Sequence, residues 1–239
     1  MFLKQNNIKE HFGVVETTIP KCSDFTIKEA LKLFVNQPQS YKNQFLQKHY
    51  NKVFDGYSFL GQTDSTNQYD TDLLHSFVLS EFSELSAFPK AFHAFLEDDW
   101  EVLISKIKTI ELEIIRQLDI NGLEGFYKSN IGHLMSCNYY PKVEGGMDSQ
   151  EFRLSSHTDV SLFSVFVFGL KEGFSYLDKL GNKKSLKDSK KVVVFPGYLL
   201  EFLTNGRYKA LSHQVDFNKN NEERFSFAFF SILKPEKSM

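Results

Sequence analysis

A chain of 239 residues can bury a sizeable core and fits one domain, or one domain with a helical flank. Its 28 basic and 30 acidic residues leave a formal net charge of −2, and no basic run is interleaved with base-stacking aromatics, so nucleic acid is not the expected partner. Cys22 and Cys137 have neither metal-site nor disulfide-framework spacing, the first residues lack a signal-peptide core, and no apolar run approaches the ~18 residues of a membrane span. The expectation is a cytoplasmic protein with reduced thiols and no membrane partner, and no protein partner is inferred.

Thr26-Ile27-Lys28-Glu29 has the pattern of a capping box and predicts a helix through Ala30, Leu31 and Phe34. It should stop near residues 36–38, because proline disfavours helix in the residue before it. Residues 57–72 are polar, with Gly61, Ser65, Thr66 and Asn67, and read as a long loop of the kind that often carries function. From 98 to 118, Val102, Leu103, Ile107, Ile110, Ile114, Ile115 and Leu118 recur at helical spacing and predict a helix with a core-facing stripe. Asn121-Gly122 is expected to end it.

Beyond that point the pattern changes to strands, predicted at 134–140, 162–168, 191–195, 199–204, 210–215 and 225–233. Gly145-Gly146 marks a loop, and Asn205-Gly206 a tight hairpin. The polar run 216–223 either closes a hairpin or carries the chain between sheets. Lys183, Lys184, Lys187, Lys190 and Lys191 read as a solvated turn. The fold class is mainly β with flanking α-helices, in a two-sheet jelly roll or barrel. Twenty-five phenylalanines suggest an aromatic-rich core.

His157-Thr158-Asp159 lies in this β region. Residues i and i+2 of an extended segment point to one side, so His157 and Asp159 can face one ion while Thr158 turns away. Taken alone, the pair would read as a hydrogen-bonded surface contact. His213 further along supplies a third donor, and two imidazoles with one carboxylate hold one face of an octahedral Fe(II), leaving positions for O2 and an organic ligand. Arg224 and Ser226 repeat the i, i+2 spacing in an aromatic strand and form a carboxylate clamp, since arginine binds carboxylates bidentately. Arg153 could meet a substrate carboxylate, although an ordinary solvated arginine is the expectation. His11, His49, His75, His93 and His133 are read as structural or solvated.

The ordered set Asn138-Tyr139-Tyr140-Pro141, His157-Thr158-Asp159-Val160-Ser161-Leu162, 203–209, Ser212-His213 and Glu223-Arg224-Phe225-Ser226 resembles the isopenicillin N synthase-like branch of the Fe(II)/2-oxoglutarate-dependent dioxygenases. A fainter likeness at 11–15, 27–34 and Gly56-Tyr57 extends it over nearly the whole chain. The resemblance implies a double-stranded β-helix as one domain over 1–239, with a helical and mixed part at 1–125 and a jelly-roll core at 126–239. It implies that His157, Asp159 and His213 ligate Fe(II), and that Arg224, Ser226, Tyr140 and Asn138 bind the cosubstrate 2-oxoglutarate. The implied activity is oxidation of a small organic molecule by O2, by hydroxylation, desaturation or cyclisation, with release of succinate and CO2. Gln214 stands where many relatives have Arg, and Tyr198 where most have Asp. That tyrosine resembles isopenicillin N synthase itself, so an iron oxidase without 2-oxoglutarate is the alternative. A non-catalytic jelly-roll module using its metal for structure or ligand capture is a third reading, against which stand the open positions left by only three protein ligands. The substrate rim is expected at 57–72 and near 152–155.

Overall fold

The computed structural model describes residues 8–10, 12–17, 23–47, 54–59, 73–142, 152–170, 173–186, 191–217 and 222–235. The first half of the chain contributes β1 (Val15–Thr17), α1 (Phe25–Val35), α2 (Gln39–Lys42), β2 (Gly56–Ser58), β3 (His75–Ser80), α3 (His93–Asp98), α4 (Trp100–Leu118) and α5 (Leu123–Asn130). The second half contributes β4 (Ile131–Tyr140), β5 (Phe152–His157), β6 (Phe163–Phe166), β7 (Phe174–Leu177), β8 (Lys183–Ser185) and β9 (Val192–Pro196). It closes with α6 (Tyr198–Leu203), β10 (His213–Asp216) and β11 (Arg224–Leu233). Seven strands form a major antiparallel sheet in the order β1-β9-β6-β11-β4-β3-β2, and four form a minor one in the order β5-β10-β7-β8. This is the expected mainly β jelly roll with helices on one side.

Side-chain alternation assigns each face of the major sheet. On β4 and β11, Met135, Cys137, Phe225, Phe227 and Phe229 point to the helices, where they join Ile27, Leu31 and Phe34 of α1 and the buried stripe of α4. Phe34 sits edge-on to Phe77 at 4.9 Å, and Trp100 meets Phe229 at 5.6 Å. Each such fully buried aromatic contributes on the order of 2 kcal/mol by burial alone. The opposite face carries Arg224, Ser226 and Ala228 beside Tyr140, Asn138 and Ser136, and turns toward the minor sheet. Phe166, Phe174, Phe195 and Leu211 fill the space between the sheets. Among the described residues no helix is long and apolar enough to cross a membrane.

Several elements depart from the sequence expectations, each for a local reason. The capping box does not form: α1 starts at Phe25, whose N–H is donated to Ser23 Oγ at 3.2 Å, so Thr26 already lies within the helix. In α4, Val102 is 54 % exposed and off the buried stripe, which runs through Leu103, Ile107, Ile110, Ile114 and Leu118. That helix ends at Asp119, left-handed at φ 53°, while Gly122 at φ 79° starts the unpredicted α5. Of the strand expected at 199–204, residues 199–203 are helical and Thr204 caps the helix, and Asn205-Gly206 serves as the C-terminal turn of α6, with Gly206 N–H donated to Glu201 C=O at 2.8 Å. Positive φ suits a hairpin and a helix end equally, which is why this signal misleads. β10 starts only at His213, and β1, β2, β3, β7 and β8 are additional strands. The run after β10 passes from the minor sheet to β11 of the major one, so it is a crossing and not a hairpin. Cys22, His11, His49, Gly145-Gly146, and most of the loop from 57 to 72 lie outside the described residues, and Tyr57 itself belongs to β2.

Candidate metal centre and carboxylate clamp

His157 is the last residue of β5 and His213 the first of β10, and the two are direct partners in the ladder. Their rings stand 4.3 Å apart between centroids. Both imidazoles are oriented the same way. His157 Nδ1 pairs with Ser155 C=O at 2.8 Å and His213 Nδ1 with Leu211 C=O at 3.0 Å. A carbonyl can only accept, so each Nδ1 carries the proton and each Nε2 presents its lone pair. The two Nε2 atoms point at one carboxylate, 3.6 Å from Asp159 Oδ1 and 3.7 Å from Asp159 Oδ2 respectively. Donor atoms of the three residues lie within 4.8 Å of one another, and Thr158 is exposed as the alternation requires.

Asp159 leaves the strand and is fixed by the loop around it. Ser164 Oγ donates to Asp159 Oδ2 at 2.5 Å and is itself 3.0 Å from Ser161 Oγ. The start of α6 fastens the loop from the other side: Tyr198 N–H is donated to Asp159 C=O at 2.7 Å and Leu199 N–H to Ser161 C=O at 3.0 Å. Gly197 permits this approach, because a Cβ there would collide with the Ser161 carbonyl. The Asp159 side chain is 9 % exposed; burial raises its pKa, but His213, His157 and Ser164 outweigh burial and hold it below the ordinary aspartate value. Burial, with the His157 charge, pushes His213 below the ordinary histidine value against the pull of Asp159, favouring the neutral, ligating imidazole. The donor set fits a divalent transition metal that keeps open positions. Ser164, Gly197 and the Tyr198 N–H are the supporting groups that motif reading missed; Gly197 after the apolar run Val-Val-Val-Phe-Pro was the available signal.

The clamp residues converge through strand register. Arg224 is the ladder partner of Tyr140, and Ser226 that of Asn138. Tyr140 is 1 % exposed, and the Arg224 guanidinium lies 4.9 Å from its ring centroid, a cation–π contact that fixes the plane of the fork. Asn138 Oδ1 accepts from Ser136 Oγ at 2.9 Å, so half of that amide is engaged within the sheet. Val215, two residues past His213, packs against Tyr140, which joins the clamp wall to the metal wall.

Arg153 is not the solvated arginine expected. It is 1 % exposed, with Nη1 3.5 Å from Tyr140 C=O and its guanidinium 5.3 Å from the Phe217 ring. Two register shifts between β5 and β10 re-aim this stretch of strand. Burial, then the neighbouring Arg224 charge, lowers its pKa from the usual arginine value. His133 is structural as expected, fully buried and bonded to Glu111 of α4 beside Tyr127. His75 is structural as well. It accepts or donates to Tyr57 Oη at 2.8 Å, and burial, with Lys42, pushes its pKa down to about 4.

Residues 131–232 match the family model described as the 2OG-Fe(II) oxygenase superfamily. The chain is 25 % identical over 223 residues to a leucoanthocyanidin dioxygenase of Malus domestica, covering 88 % of this chain and 61 % of that protein. It is 24 % identical over 241 residues to a bi-functional coumaroyl CoA and feruloyl CoA ortho-hydroxylase of Ruta graveolens, covering 95 % and 64 %. It thus spans less than two thirds of the length of these curated relatives. The fold is shared with JOX2 in complex with 2OG, Fe and JA (TM-score 0.74, 20 % identity, 95 % of this chain and 69 % of that one). It is also shared with a full-length Neurospora crassa protein in complex with alpha-KG and thymine (TM-score 0.73, 18 % identity, 92 % and 76 %).

Proposed function

We propose that the chain, whose residues 131–232 match the 2OG-Fe(II) oxygenase superfamily model, is an Fe(II)- and 2-oxoglutarate-dependent oxygenase that oxidises a small organic molecule. His157, Asp159 and His213 are the ligands, and Arg224, Ser226, Tyr140 and Asn138 the cosubstrate pocket. A ferrous ion held by these residues would supply activation of O2 coupled to oxidative decarboxylation, so that 2-oxoglutarate, O2 and R–H give succinate, CO2 and R–OH. The observation that carries this reading is the convergence of two Nε2 atoms on one carboxylate, with a buried arginine–tyrosine pair on the facing sheet.

The protein's own part is orientation and exclusion of water. Ser155 and Leu211 carbonyls hold the imidazoles in the ligating tautomer. Arg224 offers a bidentate fork to the distal carboxylate, Tyr140 fixes its plane from below, and the Ser226 hydroxyl adds a hydrogen bond from the next rung. The relatives' printed names, a dioxygenase and an acyl-CoA hydroxylase, and the bound alpha-KG of the Neurospora crassa neighbour support the reading. The substrate is taken to be a free small molecule and not nucleic acid, in a single cytoplasmic domain; the near-neutral charge and the core shared by both halves of the chain support this.

Calorimetric titration of 2-oxoglutarate into anaerobic, Mn(II)-loaded protein tests the assignment. Binding at one site per chain is expected, weakened at least about tenfold in Arg224→Ala through loss of a bidentate charged pair; an unchanged affinity removes Arg224 from the role. The alternative, an oxidase without 2-oxoglutarate, is kept by Tyr198, but Tyr198 is 54 % exposed and engages Asp159 only through its backbone. Succinate formed in step with O2 uptake separates the two.

A further inference from the structure

The face of the major sheet that carries the clamp changes character along its length. Ladder partners on β4 and β11 give successive rungs Tyr140–Arg224, Asn138–Ser226, Ser136–Ala228, Leu134–Phe230 and Gly132–Ile232. At about 3.3 Å per residue, Arg224 and Phe230 stand roughly 20 Å apart along one strand. One end is a buried cation over a tyrosine; the other is aliphatic and aromatic. A cavity of about 390 Å³ opens over the apolar end, and Asp159 is part of its wall. Val78, Leu134, Phe230 and Ile232 form its floor, and Val160 and Leu199 come from the loop and helix that hold Asp159.

Apart from Asp159, the described lining offers one polar side chain, Ser136, whose hydroxyl is already engaged by Ser76 Oγ at 3.0 Å and Asn138 Oδ1 at 2.9 Å. No cation lines the cavity among the described residues. A carboxylate, sulfonate or phosphate seated there would lose its hydration against an apolar lining, and the loaded centre beside it, Asp159 (−1) with a divalent metal ion (+2) and 2-oxoglutarate (−2), carries a net charge of −1 that offers no compensation. At the mouth, Val160 is 72 % exposed and Phe54 54 % exposed, an apolar rim that a polar ligand would not reward. Residues 152–155, expected from sequence to shape specificity, do not line this cavity.

We propose that the substrate is an uncharged, predominantly apolar small molecule that lies over the Leu134–Phe230 rung with the bond to be oxidised beside Asp159, the sheet face being divided between a dicarboxylate at its cationic end and this molecule at its apolar end. The assignment of the cationic end rests on the function proposed above; the substrate class rests on the cavity alone.

A matched pair of probes, naphthalene-2-methanol and naphthalene-2-sulfonate, decides the matter by ligand-observed NMR titration of the protein saturated with Mn(II) and 2-oxoglutarate. The alcohol should bind at least about tenfold more tightly, since only the sulfonate loses hydration without a partner. Val160→Arg, a change at an exposed position, should abolish or reverse that preference, and Leu134→Ser should weaken the alcohol several-fold. Equal or tighter binding of the sulfonate to the wild type overturns the proposal, as does a preference that Val160→Arg leaves unmoved or an alcohol that fails to bind while Mn(II) and 2-oxoglutarate do. If Mn(II) or 2-oxoglutarate itself fails to bind, it is the oxygenase reading that falls, and the same probe comparison on metal-free protein still decides the nature of the cavity.

Discussion

His133 and Glu111 are fully buried beneath α4, His213 and Asp159 are nearly so between the sheets, and both places pair imidazole with carboxylate. In the first, His133 Nε2 bonds Glu111 Oε2 directly at 2.8 Å, and Tyr127 Oη donates to the same oxygen. In the second, each imidazole spends its Nδ1 on a carbonyl close by in its own chain segment, and the Nε2 atoms stop 3.6 and 3.7 Å short of Asp159. Those gaps exceed a hydrogen bond. The buried pair meets in a direct hydrogen bond, whereas the two imidazoles of the candidate site are held from behind by carbonyls with their Nε2 atoms beyond hydrogen-bond distance of the carboxylate. Backing by Ser164, Ser155 and Leu211 is therefore the feature that marks the site, more than the burial of charge.

The largest expected effect breaks the open cluster. Asp159→Ala or His157→Ala should eliminate stoichiometric Mn(II) binding and 2-oxoglutarate turnover while circular dichroism stays native; full iron-dependent activity in either variant would refute the ligand assignment.

His133→Leu probes the closed cluster in the opposite sense. It should cost about 3–5 kcal/mol of stability by stranding Glu111, with metal affinity unchanged in whatever folded protein remains. Adding Glu111→Leu should recover a large part of that loss in denaturant titrations; a double variant no more stable than the single would mean the network is not a coupled pair.

Ser164→Ala tests the backing itself. Loss of an outer hydrogen bond to a ligating carboxylate costs about 10–100-fold in metal affinity, with a much smaller change in melting temperature. Equal affinity for Mn(II) in the variant and the wild type would show that Ser164 does not orient Asp159.

The smallest effect separates the clusters by pH. Burial disfavours charge on His133, but Glu111 and then Glu81 outweigh it and push its pKa up to about 9 from 6.5. The folded value lies above the unfolded one, so this stabilisation is complete below about pH 6.5 and is lost as pH rises through about 9. The melting temperature of the wild type should fall across that window more steeply than that of the His133→Leu/Glu111→Leu variant; parallel curves would contradict a charged His133.

Much of the site was legible because its spacing is local. His157 and Asp159, Arg224 and Ser226, and Asn138 and Tyr140 are each two residues apart, and the extended backbone alone puts each pair on one side. The α4 stripe was legible for the same reason at helical period. Residues 198–203 were misread because Tyr-Leu-Leu-Glu-Phe-Leu is too short an apolar run to display either period. Arg153 escaped because its burial follows from bulges in the β5–β10 pairing; His133 was legible as structural, but its partner Glu111, 22 residues away on a helix, was not.

By itself the sequence determined which side chains are the candidates for a metal and a dicarboxylate, since ligand chemistry and strand alternation are properties of residue type and neighbouring positions. Only the tertiary structure decided that His157 and His213 face each other across a ladder, that Arg224 stacks on Tyr140, and that the same sheet face ends in an apolar cavity beside Asp159. Those relations depend on register between strands distant in the chain, and a register is set by the packing of the whole core, not by the residues it brings together.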